Sequence, residues 1–436
     1  MNNHRQKAVV IGGSLTGCLV AQVLSSHFNE VVILEKDQFD CTPTPRKGVP
    51  QENHLHIVLK QGMDSIEAIF PGISDSLSAQ GGVTVNLGHG LRWYQAGQWK
   101  APYTSKLSSV LFSRALLDTT IRQRILNNPS IQVKRRVRVN AFIIEGSRVE
   151  GVRFNDQGAD QSLHCDLVVD CSGAGSKTAE WLNTAGFDRV ENSTLKKQIR
   201  YSSALYRSES PLEKKAIVIW DTGSHKHNVG LLFPIEKDTW IVSAGGCFDS
   251  NPTADKNTFK AFIDALPQAD ISQFISQSTA VSDLHTFAFP GSAWLHYEKM
   301  PNFPLGLIVA GAAFCRLNPF FGQGITLCAS HALVISQYLL RNTEGCIATR
   351  DVQQQLAKAN RSPWKVSEVE DLRHACVPGK RSLLNKFLMW YTQKFYCLSN
   401  HDVFARELQF KVMHQIASPY ALFHPSIVFK VLAQAG

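Results

Sequence analysis

The turn Gly12-Gly13-Ser14-Leu15-Thr16-Gly17 follows an unbroken apolar run, Ala8-Val9-Val10-Ile11, and opens a stretch with helical spacing. These residue types suit one kind of chemistry, the holding of phosphate. A glycine at position 12 allows a tight turn, and a glycine at 17 lets a helix lie close on a strand. The free N–H groups at the start of that helix carry partial positive charge and donate to an anion. A second apolar run, Val31-Val32-Ile33-Leu34, ends in Glu35-Lys36. Its carboxylate stands about 20 residues past the turn, where it can accept hydrogen bonds from a ribose. Ser14 replaces the middle glycine of such a turn and slightly crowds the approach to phosphate. Gly12, Gly13, Ser14, Gly17, Glu35 and Lys36 are therefore expected to bind a dinucleotide.

A second set of glycines, Gly311-Ala312 and Gly322-Gln323-Gly324, comes near the far end of the chain. A nicotinamide dehydrogenase does not usually return to its cofactor so late, whereas a flavoprotein closes over FAD with such a segment. The order of elements favours FAD. No Ser–His–Asp or paired-carboxylate pattern stands out, and no Cys-x-x-Cys pair occurs, so no metal site is expected. The hard chemistry then falls to the cofactor. His54 and His56 have the alternating spacing of a strand or turn and are assigned no catalytic role.

Several elements must position these groups. Strands are predicted at Ala8–Ile11, Val31–Leu34 and Asp166–Cys171, each apolar enough to be buried on both faces. Helices are predicted at Thr16–Phe28 and from Lys177 to Thr184. Residues 131–154 read as short antiparallel strands with a turn at Glu145-Gly146-Ser147. The runs Ile199–Tyr206, Ala216–Trp220, Val229–Pro234 and Trp240–Ala244 read as a meander with one face on a substrate cavity, and Ala254–Leu266 as a helix covering the other. The last ninety or so residues are mainly helical, with Leu383, Leu384, Phe387, Leu388, Tyr391 and Phe395 on one face. That face is expected to pack or form a lid, a membrane-surface helix being the alternative. The fold class is α/β: a discontinuous Rossmann-type FAD-binding domain (1–72, 106–185, 286–342), an inserted β-rich substrate domain (73–105, 186–285) and a C-terminal helical region (343–436).

Four blocks carry a resemblance. They are the first turn with Glu35-Lys36; Arg46-Lys47-Gly48-Val49-Pro50-Gln51 with His54 and His56; Phe112-Ser113-Arg114-Ala115-Leu116-Leu117, leading to Asp166–Gly173; and Val309–Cys315, continuing through Asn318-Pro319-Phe320-Phe321-Gly322-Gln323-Gly324-Ile325-Thr326. On these the chain resembles the FAD-dependent monooxygenases of the para-hydroxybenzoate hydroxylase fold, most closely the branch that includes polyether epoxidases. The resemblance implies that Arg46 and Arg114 reach the FAD phosphates and ribityl chain, and that Val49 adjoins the cofactor. It implies that Val139 meets the adenine through its backbone, and that Gly311 and Ala312 face the ribityl chain. Pro319, Gly322 and Gln323 would lie at the flavin edge, with Gly324 and Ile325 at the start of a helix that steadies negative charge on the reduced ring. Two departures stand out: the family usually has Asp at Ala312, and an Asp-Gly or Arg at Ala174-Gly175. Loss of that carboxylate would weaken FAD by roughly 1.5–3 kcal/mol.

The implied activity is insertion of one oxygen atom, by epoxidation or hydroxylation, into an apolar polyene or aromatic small molecule through a flavin hydroperoxide, in secondary metabolism. Molecular oxygen is the co-substrate, and NADPH, NADH or an external flavin reductase the electron donor. Trp93, Tyr94, Trp99, Tyr103, Trp220 and Trp240 are candidate substrate contacts. The alternatives are an isoprenoid-type reductase or desaturase and a weakly loaded flavin-binding pseudoenzyme. The Trp-x-Trp-x-Ile-Pro element of flavin halogenases is absent.

Composition agrees with a large folded core: of 436 residues, 44% are hydrophobic and 19% charged. The formal net charge of +9 is spread out. Its densest run, Lys134-Arg135-Arg136 with Arg138, reads as a strand's solvent face rather than a nucleic-acid footprint, so no nucleic-acid partner is expected. The ten cysteines, several inside apolar runs, suggest a reducing compartment without structural disulfides. No apolar run reaches the ~18 residues of a bilayer span. His4–Leu24 mimics a secretion signal, but its glycines and the strand that follows argue for a cytoplasmic protein, with peripheral membrane contact left open.

Overall fold

A backbone strand buried on both faces needs a neighbour on each side and helices above and below. Ala8, Val9, Val10, Val31, Ile33, Leu167–Val169 and Leu307–Val309 have no exposed surface at all. They form the middle of a five-stranded sheet in the computed structural model, which describes residues 5–42, 46, 49–208, 215–221, 228–247, 252, 255–342 and 347–433. The strand order is Leu307–Val309, Leu167–Asp170, Arg5–Ile11, Phe28–Glu35, Ile131–Arg135, and every pairing is parallel. The register sets Ile11 beside both Leu34 and Asp170, and Asp170 beside Val309. Three chain segments therefore leave the sheet side by side at its carboxyl edge: Gly12, Cys171 and Ala310. Open α/β sheets bind ligands at that edge.

The edge strand Leu307–Val309 is finished by a side chain. Buried Gln353, on the helix Thr349–Leu372, accepts from the Val309 N–H and donates to the Val309 carbonyl, both at 3.1 Å. One amide thus satisfies backbone groups that would otherwise stay unpaired.

Two expectations are corrected here. The first helix is Leu15–Leu24 and the next strand already begins at Phe28, because Phe28 pairs with Arg5 of the first strand. Ile131–Arg135 joins the parallel sheet beside Phe28–Glu35. Only Val137–Glu145, Arg148–Asp156 and Ala159–His164 form the antiparallel meander. The break falls at Arg136, whose φ of 58° takes the backbone out of extended geometry. Its flanks alternate alike, so periodicity alone hides it.

The second sheet is antiparallel at its centre: Ile199–Ser208, Thr239–Cys247, Val229–Ile235 and Ala216–Trp220 lie in that order. Leu91–Gln95 is added in parallel to Ala216–Trp220, and His285–Phe289 pairs with the start of Ile199–Ser208. One face packs Ala204, Ile219, Leu232, Trp240 and Val242 on Phe259 and Ile263 of the helix Lys256–Asp264, as the meander pattern predicts. The remaining helices Leu383–Leu398, Val403–Met413 and Pro425–Ala433 share a small core of Tyr391, Phe395, Ala405, Ile427 and Val431. Arg406, buried there, donates to the carbonyls of Gly88, Leu91 and Ala101, which ties this unit to the second sheet.

Candidate functional site

The carboxyl edge of the parallel sheet and the uncovered face of the second sheet enclose one cavity of about 920 Å³. Small-molecule sites run to about 1,000 Å³ at the large end, so there is room for a cofactor of several rings.

At the first end the backbone does the work. Gly12 has a φ of +95°, and a Cβ on it would lie 2.9 Å from the Cys171 carbonyl oxygen. A Cβ on Gly17 would stand 1.8 Å from the Gly12 oxygen, so no other residue permits this helix so close to the turn. Ser14 caps the helix Leu15–Leu24 without a side-chain hydrogen bond, and no acidic residue occupies the first turn. Ser14, Leu15 and Thr16 all line the cavity. Open N–H donors therefore face it, as an anionic pyrophosphate requires. Glu35 lines it too, though its carboxylate already accepts from Gly13 N–H at 2.5 Å and Asp37 N–H at 2.8 Å. Lys36, Val49 and Val139 complete this end.

Midway, Arg114 lines the cavity while donating to Asp118 at 2.7 Å. Burial works against its charge, yet Asp118 and Glu52 more than offset that and hold its pKa above the ordinary value. Gly311 (φ +62°) packs on Thr16, and its N–H donates at 2.9 Å to Nδ1 of buried His331. The Nε2 of that ring lies 2.8 Å from Asn360 Oδ1, so the proton sits on Nε2. Ala312 then opens onto the cavity.

At the far end of this segment Pro319, Gly322, Gly324 and Ile325 line the cavity. Gly322, with φ +64°, caps the helix Gln323–Arg341, again without a side-chain hydrogen bond or a first-turn acid. Nothing lies within 4 Å of a Cβ on Gly324, so a flat group can approach its N–H. The turn is held from beneath: Asn318 Oδ1 accepts from Phe320 N–H at 2.9 Å, and its Nδ2 donates to Asp371 at 2.6 Å. Lys197 sits 3.2 Å from the same carboxylate. Two unfilled helix starts, two glycine cradles and flanking cations make a donor set that fits a dinucleotide with an electron-accepting ring at its far end.

Not every expected residue reaches the wall. Arg46 does not line the cavity; its Nε donates to Glu52 at 3.0 Å and its Nη2 lies 3.8 Å from Asp118. With Arg114 and Arg122 it joins a buried network of three cations and two carboxylates. Lys47 and Gly48 of the same block lie outside the described residues. Gly13 packs on Phe39, Gly17 on the turn, Gly311 on Thr16 and Gln323 beside Ser367, all behind the surface.

The aromatic candidates split by strand parity. Trp93 and Trp220 line the cavity, whereas Tyr94, Trp99 and Trp240 sit on the opposite face against the covering helices. Tyr103 instead donates to Glu407 at 2.8 Å. Successive side chains on a strand point to opposite faces, and composition does not tell which parity is inside. The walls that were missed are Tyr201, Phe287, Phe289 and Phe320, together with Phe410 and Met413 of the helix Val403–Met413. A Cβ on Gly245 would strike the Phe320 ring at 2.7 Å, so this glycine brings the second sheet against the Pro319 turn.

One polar chain crosses that wall. His54 Nδ1 lies 2.8 Å from Ser203 Oγ, which lies 2.6 Å from Ser243 Oγ, and Ser243 opens on the cavity. His54 stacks edge-on against Tyr201 at 4.6 Å. Burial, with His56 and His285 nearby, pushes its pKa down to about 3, so the ring stays neutral. His56 lines the cavity itself.

Known proteins share this fold. Protein Rv3254 of Mycobacterium tuberculosis is 28% identical over 399 residues, 85% of this chain and 81% of that protein. A triple mutant of the flavin-dependent brominase Bmp2 superposes with a TM-score of 0.68 at 15% identity, over 96% of this chain and 98% of that one. PqsL, a probable FAD-dependent monooxygenase from Pseudomonas aeruginosa, gives 0.62 at 17% identity over 85% and 94%. At these identities the two solved structures speak to the fold alone. The model of the family described as FAD binding domain matches residues 5–346, most of the chain, and the chain belongs to that FAD-binding-domain family.

Proposed function

We propose that this flavoprotein is a monooxygenase that inserts one atom of molecular oxygen into an apolar aromatic or polyene small molecule, taking electrons from NADPH, NADH or a separate flavin reductase. One observation carries the reading: the cavity runs without a partition from the glycine turn, past Pro319, to an aromatic face on the second sheet. Bound FAD would supply the oxygen activation. It would be held by Gly12, Ser14, Glu35, Lys36, Val49, Arg114, Val139, Ala312, Pro319, Gly322, Gly324 and Ile325. On the same reading the segments 1–72, 106–185 and 286–342 serve the cofactor, and 73–105 with 186–285 serves the substrate.

The chain's own residues have three tasks in this scheme. The helix start at Gly322–Gly324 steadies negative charge on the ring edge beside it. The apolar walls around Tyr201, Phe287 and Phe320 keep water from the reacting atoms. Ser243 offers a neutral hydrogen bond in an otherwise apolar wall and orients a substrate that carries one hydroxyl or carbonyl. The polarity of that bond follows the tautomer of His54. If its Nδ1 carries the proton, Ser203 passes the donor sense on and Ser243 presents an O–H. In the other tautomer Ser243 accepts.

Anaerobic mixing of FAD-loaded protein with NADPH or NADH, then admission of labelled oxygen with mass analysis of candidate polyenes and phenols, tests this. One labelled atom in a product supports it. A product altered by two hydrogens and no label would instead assign a reductase or desaturase. Absence of bound flavin after soaking in FAD would leave a pseudoenzyme.

A further inference from the structure

Ten of the fourteen large hydrophobic residues exposed among the described residues lie between Leu383 and Leu432. Four of them, Leu383 (86% exposed), Leu384 (58%), Phe387 (47%) and Trp390 (40%), make a stripe along the helix Leu383–Leu398. Their spacing of three and four residues sets them on one side. The same helix buries Tyr391, Phe395 and Leu398 in its own unit, so one apolar stripe is covered towards its C-terminal end and open at its N-terminal half. Phe423 joins the two parts, stacking 6.3 Å from Phe387 and 4.5 Å from Tyr391. A contiguous apolar patch of this kind marks an interaction site.

Charge selects the partner. Residues 372–401 contain Arg373, Lys380, Arg381, Lys386 and Lys394 and not one Asp or Glu. Arg373 is neutralised by Glu370 at 2.9 Å, and Arg381 donates to the backbone carbonyls of Leu372 and Val377. Lys380 and Lys386 are exposed beside the stripe. A second copy of this chain, meeting the patch across a two-fold axis, would set these cations against one another. An anionic bilayer offers the complement: hydrocarbon for the leucines, headgroup level for Phe387 and Trp390, and phosphate for the lysines. No helix among the described residues is long and apolar enough to cross a membrane, so the contact is with the surface.

We infer that the open N-terminal half of the Leu383–Leu398 stripe docks this protein on an anionic lipid surface. The next helix, Val403–Met413, carries Phe410 and Met413 on the cavity wall. Docking would hold the protein on the phase into which an apolar substrate partitions. That last step rests on the proposed function; the docking itself does not.

The test is sedimentation of the FAD-loaded full chain with vesicles of phosphatidylcholine alone or mixed with phosphatidylglycerol. Trp390 emission and flavin absorbance are followed in the same samples. The expected result is binding to the mixed vesicles only, weakened by salt, with a blue shift of tryptophan emission. The double variant F387E/W390E should lower partitioning roughly tenfold or more, the scale of two lost aromatic contacts, with flavin content and melting midpoint unchanged. K386E should give a smaller loss. Failure of the unaltered protein to bind mixed vesicles overturns the inference. So does equal binding by the double variant, or a dimer seen by light scattering that the double variant dissolves. Labelled-oxygen turnover on soluble substrate is read separately, so failure of the one reading does not disguise failure of the other.

Discussion

The two ends of the cavity are built by different means. At the cofactor end the groups that matter are backbone N–H donors, exposed because glycines and short turns leave them bare. At the end proposed for the substrate they are side chains on one face of an antiparallel sheet, chosen by strand parity. A local motif can specify the first kind, since turn, helix start and carboxylate lie within a few dozen residues. The second kind depends on which neighbour each strand finds. The comparison implies that substitutions at the two ends should separate flavin retention from substrate binding.

The sharpest break of that separation lies in the first turn. Gly17→Ala puts a carbon 1.8 Å from the Gly12 oxygen. It should destabilise the fold by about 3 kcal/mol, the upper range of overpacking, and abolish retained flavin absorbance. Gly324→Ala, with open space around its Cβ, should leave the denaturation midpoint unchanged and lower flavin affinity alone.

Acid should act on the joint between the ends. Burial pushes His331 down to about 4, against about 6.5 in an unfolded chain. Below 6.5 the unfolded chain takes the proton and the folded one does not. The stabilisation is thus complete above pH 6.5 and drains away as pH falls towards 4, by as much as about 3 kcal/mol. Urea midpoints at both ends of that range should show the loss. His331→Gln, which keeps an acceptor for Gly311 but cannot titrate, should remove its share of the loss and leave the shares of buried His54, His56 and His414.

Ala312→Asp should tighten FAD by roughly 1.5–3 kcal/mol, since the position is exposed to the cavity. Equilibrium dialysis checks this; an unchanged affinity would mean that another group already takes the role. The smallest effect is expected at the sheet. Ser243→Ala should weaken binding of 2-naphthol by about 1 kcal/mol, one neutral hydrogen bond. It should leave naphthalene binding, read by quenching of tryptophan emission, and flavin content where they were. A change in flavin content would show that the two ends are not independent.

Particular residues show where reading the chain succeeds. The Gly12–Gly17 turn, the run Asp166–Cys171 and the Pro319–Gly324 segment carry their geometry in adjacent residues, and all three open on one cavity. The meander was legible to within a few residues for the same reason, since each strand is a continuous apolar run. Arg46 misled because two buried carboxylates, Glu52 and Asp118, compete for it, and neither announces burial in the sequence. Tyr94 and Trp240 misled because their cavity-facing neighbours differ from them only in parity. Ser203 and Ser243 gave no signal. Serines forty positions apart become a hydrogen-bonded pair only because their strands align Ser203 with Ser243.

Local sequence was thus enough to establish an α/β protein of the FAD-binding kind, because apolar periodicity and glycine turns act over short range. Assembly alone settled which aromatic rings enclose the cavity, which arginine reaches its wall and which serine of the buried pair opens on it. Those depend on strand register and on competition among buried charges, and both come into being when distant segments meet.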